Sequence, residues 1–263
     1  SILSSDKVFT ETKMDYSTIV KSTTLSMLPN GQTIENIIPE NVLEKLDTFF
    51  TEKNLTQFEI NYLKSLKVWA VASAVVQYSD SDKEDTNQPV LDQYIWNIAT
   101  TNSIDISGLE TVKEQLNIFN ELTTDEQIEL LNDSLDYVNE IEDDGDYYID
   151  IYQREYLKGN IDSILDLEYS DFDKTDPLDK KIEKKVLNDR NINLTNRIID
   201  NITKNPDKQF FFAIGTAHFV GNKSIISLLE DEGYTVTRVS FDECDMCDNN
   251  ETKIEDRCYI PYS

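Results

Sequence analysis

The chain has 263 residues, of which 51 are Asp or Glu and 24 are Lys or Arg, so its formal net charge at pH 7 is −27. A surface this acidic repels nucleic-acid phosphates and anionic lipids, so neither is expected as a partner. Apolar residues make up 39% of the chain, enough for a packed core, and no run approaches the roughly 18 apolar residues that a membrane span needs. Beyond its effect on solubility, the negative surface suits a basic partner or a bound cation.

The first two-thirds of the chain predict short strands among many helices. Residues 7–11, KVFTE, predict a short strand that ends in the carboxylate of Glu11. Residues 103–107, SIDIS, alternate between polar and apolar and predict a second strand, whereas the polar residues 79–88 predict a loop. Apolar residues at helical spacing predict helices over residues 39–50, 56–78, 90–99 and 179–203. Two further acidic helices are predicted between residues 111 and 141, joined near residues 122–124.

The last third of the chain has a different pattern. Residues 209–215, QFFFAIG, form a continuous apolar run that is typical of a strand buried on both faces. A helix over residues 221–230 and an alternating strand over 234–239 would complete a right-handed strand–helix–strand unit. The whole pattern predicts a helix-rich α/β fold, with a central mixed β-sheet and a large helical insertion at about residues 35–200.

One histidine stands out as a candidate functional residue. His218 is the only histidine of the chain, and it follows the apolar run that ends at Gly215 by three residues. In open α/β sheets, ligands bind beyond the carboxyl ends of the strands, which is where His218 is expected. Imidazole is the commonest metal ligand and general base near neutral pH, so both roles are open beside a purely structural one.

Residues 241–263 form a polar tail that contains Cys244, Cys247 and Cys258. Their C-x2-C-x10-C spacing lacks a fourth nearby ligand, so one disulfide with one cysteine left over is favoured above a structural zinc site, if the chain is extracellular. Asn-x-Ser/Thr sequences permit a secreted location and are candidate glycosylation sites. They occur at Asn54, Asn132, Asn193, Asn201, Asn222 and Asn250.

Several segments together resemble the TIKI/TraB/GumN metalloprotease family. Residues 215–239 resemble its C-terminal signature, which is Gly-x-x-His followed by a helix, a Gly-aromatic pair and a strand. Further matching blocks occur in the family's order, at residues 8–15, 107–127, 156–165 and 186–198. The spacing of residues 26–46 resembles the animal TIKI branch. The resemblance covers about residues 1–240, which we take as one domain, followed by the tail at 241–263.

The resemblance implies a metal-dependent protease that uses Mn²⁺ or Co²⁺ and cleaves the N-terminal region of Wnt proteins, so that it negatively regulates Wnt signalling. It implies an extracellular or cell-surface location through a single-pass type I membrane anchor, and an architecture shared with erythromycin esterases and ChaN haem-binding proteins. His218 and Glu11 are then catalytic metal ligands. Gly215, Glu110 and Arg190 support them, unless Glu110 is only a helix N-terminal charge and Arg190 a structural ion pair.

The chain departs from the family in one respect that matters for function. The family carries a first Gly-x-x-His motif upstream of the Glu11 strand and a membrane anchor, and neither occurs in this sequence. We therefore expect the sequence to be an N-terminally incomplete piece of a longer protein. If it starts at Ser1 in nature, a catalytically inactive acidic module that binds a secreted ligand is the alternative. A different hydrolase on the same scaffold is another.

Overall fold

The computed structural model describes residues 2–29, 31–80, 89–144, 148–170 and 175–239, and the backbone of residues 252–254 and 257–259. Its strands are β1 (Lys7–Thr10), β2 (Asp105–Gly108), β3 (Phe210–Phe212), β4 (Thr252–Ile254) and β5 (Arg257–Tyr259). Its helices are α1 (Tyr16–Ser26), α2 (Glu40–Glu52), α3 (Gln57–Lys64), α4 (Val68–Asp80), α5 (Leu91–Thr101), α6 (Val112–Asn120), α7 (Thr124–Asp144), α8 (Tyr148–Lys158), α9 (Ile161–Ser170), α10 (Pro177–Glu183), α11 (Asp189–Lys204) and α12 (Ile225–Asp231). A π-helical turn, Lys184–Asn188, joins α10 to α11.

The central sheet has the strand order β2-β1-β3, and all three strands are parallel. Val8 and Phe9 of β1 point to opposite faces because side chains alternate along a strand. Ile95 and Ala99 of α5 pack on the Val8 face. On the Phe9 face lie Leu194 and Ile198 of α11 with Ile225 of α12. The sheet is therefore covered by helices on both sides, which confirms the predicted helix-rich α/β fold.

A second apolar core lies among helices α2, α3, α4 and α7, away from the sheet. Phe49 and Phe50 of α2 are buried there with Trp69 and Val71 of α4 and Leu131 of α7. Pro39 precedes α2 as its N-cap residue, as its fixed φ allows. Most helices of this core lie between β1 and β2, so they form part of the connection between two neighbouring parallel strands.

Two predicted elements are wrong. The helix predicted over residues 56–78 is broken between α3 and α4, where Lys67 donates its backbone N–H to the Ser26 carbonyl and Leu28 donates to the Ser65 carbonyl. This pairing with a distant segment takes the place of helical hydrogen bonds. The strand predicted over 234–239 has no regular secondary structure, and it pairs with neither of the described edge strands, β2 and β3.

The strand directions differ from the predicted mixed sheet, and two predicted segments lie mostly outside the described residues. The sheet was predicted as mixed, but each described strand of the central sheet is parallel to its neighbour, and the antiparallel pair β4–β5 is separate from it. Most of the predicted loop 79–88 and of the tail 241–263 lies outside the described residues. Within the described part of the chain, no helix is long and apolar enough to cross a membrane.

Candidate functional site

Glu11 and Glu110 lie side by side at the carboxyl edge of the sheet. Glu11 directly follows β1, and the backbone pairing of β1 with β2 continues past both strand ends. The Leu109 N–H donates to the Thr10 carbonyl and the Glu110 N–H donates to the Glu11 carbonyl, each at 2.8 Å. The parallel register thus brings together two carboxylates that are 99 positions apart in the sequence (110 − 11).

Gly108 allows the chain after β1 to pass closely over the end of β2. A Cβ atom at Gly108 would stand 2.8 Å from the Lys13 backbone nitrogen and 2.9 Å from the Glu110 carbonyl oxygen. Both neighbours are backbone atoms, which cannot move aside like a flexible side chain. The sequence marks this position only by a glycine after an alternating strand, and sequence reasoning did not assign it a role at the site.

Gly215 and His218 reach the same edge from β3. A 3-10 turn, Thr216–Phe219, follows β3, and the His218 N–H donates to the Gly215 carbonyl at 3.0 Å. The Gly215 N–H donates to Oε1 of Glu11 at 2.7 Å. A Cβ atom on Gly215 would lie 3.1 Å from that same oxygen, so the absence of a side chain lets the Glu11 carboxylate approach the turn.

The tautomer of His218 is fixed by Asn191 of α11. The imidazole is buried, with 3% of the residue exposed, and its Nδ1 lies 2.5 Å from Oδ1 of Asn191. The Asn191 side-chain N–H donates to the Lys223 carbonyl at 2.8 Å, which leaves the amide oxygen to accept a hydrogen bond from Nδ1–H. Nε2 therefore carries the lone pair, and it lies 4.0 Å from Oε1 of Glu11. Sequence reasoning did not single out Asn191.

Arg190 joins the two carboxylates. It lies in the first turn of α11, directly after the π-helical turn, and its Nη1 donates to the Val186 carbonyl in that turn at 3.2 Å. Its Nη2 donates to Oε2 of Glu11 at 2.6 Å and to Oε1 of Glu110 at 2.5 Å, while Nε donates to Oε1 of Glu110 at 3.0 Å. The result is a buried Glu–Arg–Glu network with one positive and two negative charges.

Burial and neighbouring charges set the protonation states at the site. Burial, followed by the positive charge of Arg190, lowers the pKa of His218 to about 4, although the Glu11 charge opposes this shift. His218 is therefore neutral at pH 7. Burial alone raises the pKa of Glu11, but Arg190, the Gly215 N–H and His218 together outweigh it and hold that pKa below its usual value. Burial raises the pKa of Glu110, which Arg190 opposes.

Two further side chains interact with Glu11, one by a hydrogen bond and one electrostatically, and sequence reasoning did not assign a role to either. Gln115 of α6 donates to Oε2 of Glu11 at 3.3 Å. Asp92 lies in the first turn of α5. It is on the helix face of Ile95 and Ala99, three and seven residues further on, which pack on the sheet. Burial and then the Glu11 charge raise the pKa of Asp92, so its carboxyl group lies within electrostatic reach of the site.

The residues predicted to form the site come together in the structure. His218, Glu11, Gly215, Glu110 and Arg190 all meet at the carboxyl edge of the sheet. A neutral imidazole nitrogen and a carboxylate oxygen have the donor chemistry that Mn²⁺, Co²⁺ or Zn²⁺ accepts. Among the described residues, however, no group of three His, Cys, Asp or Glu side chains lies close enough to hold a metal ion. The pair thus fits as part of a metal site, and a bound ion needs further donors.

The predicted glycosylation sites differ in their exposure, and their use stays a prediction. Asn54, Asn193 and Asn222 are exposed. Asn132 and Asn201 are partly buried, and each donates its amide nitrogen within the protein. Asn250 is outside the described residues, as are the side chains of the three cysteines.

The chain is similar to known proteins over most of its length. The TraB/PrgY/gumN family profile matches residues 1–238. A Metalloprotease TIKI homolog from Nematostella vectensis is 25% identical over 254 residues, which cover 81% of this chain and 54% of that relative. Metalloprotease TIKI2 from Danio rerio is 24% identical over 271 residues, covering 88% and 52% respectively. Metalloprotease TIKI1 from Homo sapiens is 22% identical over 257 residues, covering 83% and 51%.

The chain spans about half the length of the curated relatives it matches. No solved structure matches it significantly.

Proposed function

The chain belongs to the TraB/PrgY/gumN family, and from that premise we propose that it is a metal-dependent protease of the TIKI type. Its proposed substrate is the N-terminal region of Wnt-type secreted proteins, cleaved outside the cell or at its surface. The names of the relatives, which are metalloproteases, support the reaction class. The observation that carries the proposal is the buried His218 imidazole, whose Nε2 lies 4.0 Å from Oε1 of Glu11 at the sheet edge.

In this proposal, His218 and Glu11 would hold a divalent ion, Mn²⁺ or Co²⁺, through Nε2 and the carboxylate. When bound, such an ion polarises a carbonyl oxygen and lowers the pKa of a water molecule. Asn191 keeps the proton on Nδ1, so that Nε2 stays free to bind. Arg190 and the Gly215 N–H hold the two oxygens of Glu11 and keep the carboxylate ionised.

Glu110 balances the charge of Arg190. Without Glu110, the guanidinium would face Glu11 alone and would compete with a metal ion for its charge. With Glu110 bound to Nε and Nη2 of Arg190, the three side chains carry a net charge of about −1 from the integer charges of one Arg and two Glu. The site therefore retains a negative charge that favours a cation.

The alternative is a binding module without catalytic activity, and one observation favours it. Arg190 already neutralises part of the Glu11 charge, and the described residues supply two metal donors, fewer than the three protein ligands of typical catalytic zinc sites. In the protease proposal, the remaining donors come from water, substrate or parts of the protein outside the described residues. In the alternative, no ion binds and the Glu–Arg–Glu network is only structural.

Cleavage of a Wnt protein tests the two functions against each other. Purified protein is incubated with a Wnt protein in Mn²⁺, Co²⁺ or a chelator, and the Wnt N-terminus is identified by mass spectrometry. Glu11→Gln and His218→Gln should each lower metal-dependent cleavage at least about 100-fold, as expected when a metal ligand is lost. Glu44→Gln, an exposed change on α2, should have no effect. Binding of Wnt without cleavage under all conditions would favour the inactive module.

A further inference from the structure

A concave pocket of about 540 Å³ opens next to the Glu11 edge of the sheet. It lies between α1, the end of β2, and the first residues of α6, with α11 on one side. Lys13, Lys21 and Arg197 contribute positive charges to its lining, and Leu109 and Val112 contribute apolar surface. The pocket thus combines a buried apolar floor with a cationic rim.

The positive charge of this pocket contrasts with the rest of the protein. The chain carries 51 acidic and 24 basic residues, so a pocket lined by three basic residues differs from the acidic composition of the chain as a whole. Arg197 is engaged, since it donates to the Leu109 carbonyl at 2.9 Å and to Glu114 at 2.6 Å. Within the described parts of the chain, the ammonium groups of Lys13 and Lys21 have no hydrogen-bond or salt-bridge partner. Two exposed cations are therefore available to a ligand.

The acidic residues of the lining do not form ion pairs with these lysines. Glu110 is bound by Arg190 through Nε and Nη2. Glu114 is bound by Arg197, and it also accepts the Thr111 N–H at 2.7 Å in the capping box of α6. Each carboxylate that lines the pocket is bound by an arginine, Glu110 by the Arg190 that it shares with Glu11 and Glu114 by Arg197, so Lys13 and Lys21 remain available to pair with a ligand.

The pocket and the His218–Glu11 pair share one edge of the sheet. Lys13 follows Glu11 by two residues, and its backbone nitrogen is the atom that passes closest to Gly108. Glu110, which lines the pocket, donates its N–H to the Glu11 carbonyl. An extended peptide that crosses Glu11 therefore reaches the pocket with a neighbouring residue, because successive residues advance about 3.3 Å.

We propose that this pocket is a subsite that binds the carboxylate of an Asp or Glu residue in a peptide, next to the bond presented to the His218–Glu11 pair. The inference deepens the proposed protease function and rests on it for the position of that bond. Lys13 and Lys21 pair with the carboxylate, and Leu109 and Val112 contact the methylene groups of the acidic side chain. Lysine suits this role because its flexible stem adapts to one negative charge without a fixed fork geometry.

Direct peptide binding tests the subsite without any requirement for catalysis. Two fluorescent peptides of equal length, which differ only by Glu or Gln at one central position, are titrated with the protein in chelator, and anisotropy is measured. We expect the Glu peptide to bind about tenfold more tightly, as two partly exposed ion pairs allow. The Lys13→Met/Lys21→Met double variant should remove this preference.

Lys204→Met is the matched control, since Lys204 is exposed on α11 and pairs with nearby Asp200. It should keep the preference for the Glu peptide, and thermal melting of each variant confirms that it is folded. Equal binding of the two peptides by the wild-type protein would overturn the proposal, as would a preference that survives in the double variant. Displacement of the Glu peptide by inorganic phosphate, at a phosphate concentration equal to the Kd of that peptide, would also overturn the proposal, because the pocket would then bind anions in general.

The readout separates this proposal from the protease function. If the protein prefers the Glu peptide but never cleaves a substrate, the subsite proposal stands and the protease proposal is wrong. If the protein cleaves its substrate without a preference for the Glu peptide, the protease proposal stands and the subsite proposal is wrong.

Discussion

Removal of Arg190 should destabilise the protein more than any loss of a surface ion pair. The side chains of Arg190, Glu11 and Glu110 are only 10%, 15% and 4% exposed. Arg190→Met fills a similar volume but leaves two buried carboxylates side by side without a cation. Loss of one partner of a buried ion pair typically costs 3–5 kcal/mol, so we expect the free energy of unfolding to fall by about 4 kcal/mol.

The matched comparison is Lys204→Met, because Lys204 and Asp200 form an ion pair with side chains that are 68% and 63% exposed. Its loss should cost less than about 1 kcal/mol. Urea unfolding followed by circular dichroism gives both values. In the Arg190→Met background, the further change Glu110→Gln should restore stability by more than about 1 kcal/mol, because it removes one of the two unpaired charges.

The reasoning is refuted if Arg190→Met and Lys204→Met cost the same. It is also refuted if Glu110→Gln destabilises the Arg190→Met variant as much as it destabilises the wild type. Either result would mean that Arg190, Glu11 and Glu110 do not form a desolvated charge network in solution.

The remaining predictions concern single side chains at the same edge. The one histidine signal in NMR should titrate near pH 4, and a midpoint above 6 would contradict this. Without metal, the stability should be full above about pH 6.5 and should fall as the pH drops from there towards 4, because in that range the unfolded state binds the proton more readily than the folded state. Asn191→Leu should weaken metal binding about 10- to 100-fold in calorimetry, because Nδ1 loses its acceptor; unchanged affinity would count against a fixed tautomer. Gly108→Ala should lower the free energy of unfolding, measured in urea, by roughly 2–3 kcal/mol. Gly31→Ala should lower it by about 1 kcal/mol, because the space around the Gly31 Cβ position is open. Equal losses for the two variants would argue against the close passage of the backbone at Gly108.

Local sequence patterns predicted the parts of the fold that depend on neighbouring residues. The KVFT strand before Glu11 and the helix after Pro39 both formed. His218 lies just beyond the carboxyl end of β3, as its spacing from the apolar run indicated. These features depend on side-chain periodicity and backbone preferences within about ten residues, which are visible in the sequence itself.

Features that depend on distant contacts could not be predicted in this way. The break between α3 and α4 is caused by backbone pairing of Ser65 and Lys67 with the segment around Ser26. The alternating residues 234–239 would suit a strand, but a strand also needs a neighbouring edge, and that is a property of the whole sheet.

The same limit applies to the site. Arg190 was expected to support a carboxylate, but its position between Glu11 and Glu110 follows from the packing of α11 on the sheet. Asn191 was not identified, because its role depends on two distant partners, His218 and Lys223. Asp92 was missed although it is an acidic residue at the start of a helix that precedes a parallel strand. That position puts it at the carboxyl edge of the neighbouring strand.

The most direct test of the central claim is metal-dependent stabilisation of the protein. Thermal melting is measured with increasing Mn²⁺ or Co²⁺ for the wild type, Glu11→Gln, His218→Gln and the surface control Glu44→Gln. An ion that binds only the folded protein must raise its melting temperature. The proposal predicts a rise for the wild type and Glu44→Gln, and none for Glu11→Gln or His218→Gln. No rise for the wild type, or an equal rise for all four proteins, would contradict a metal site at His218 and Glu11.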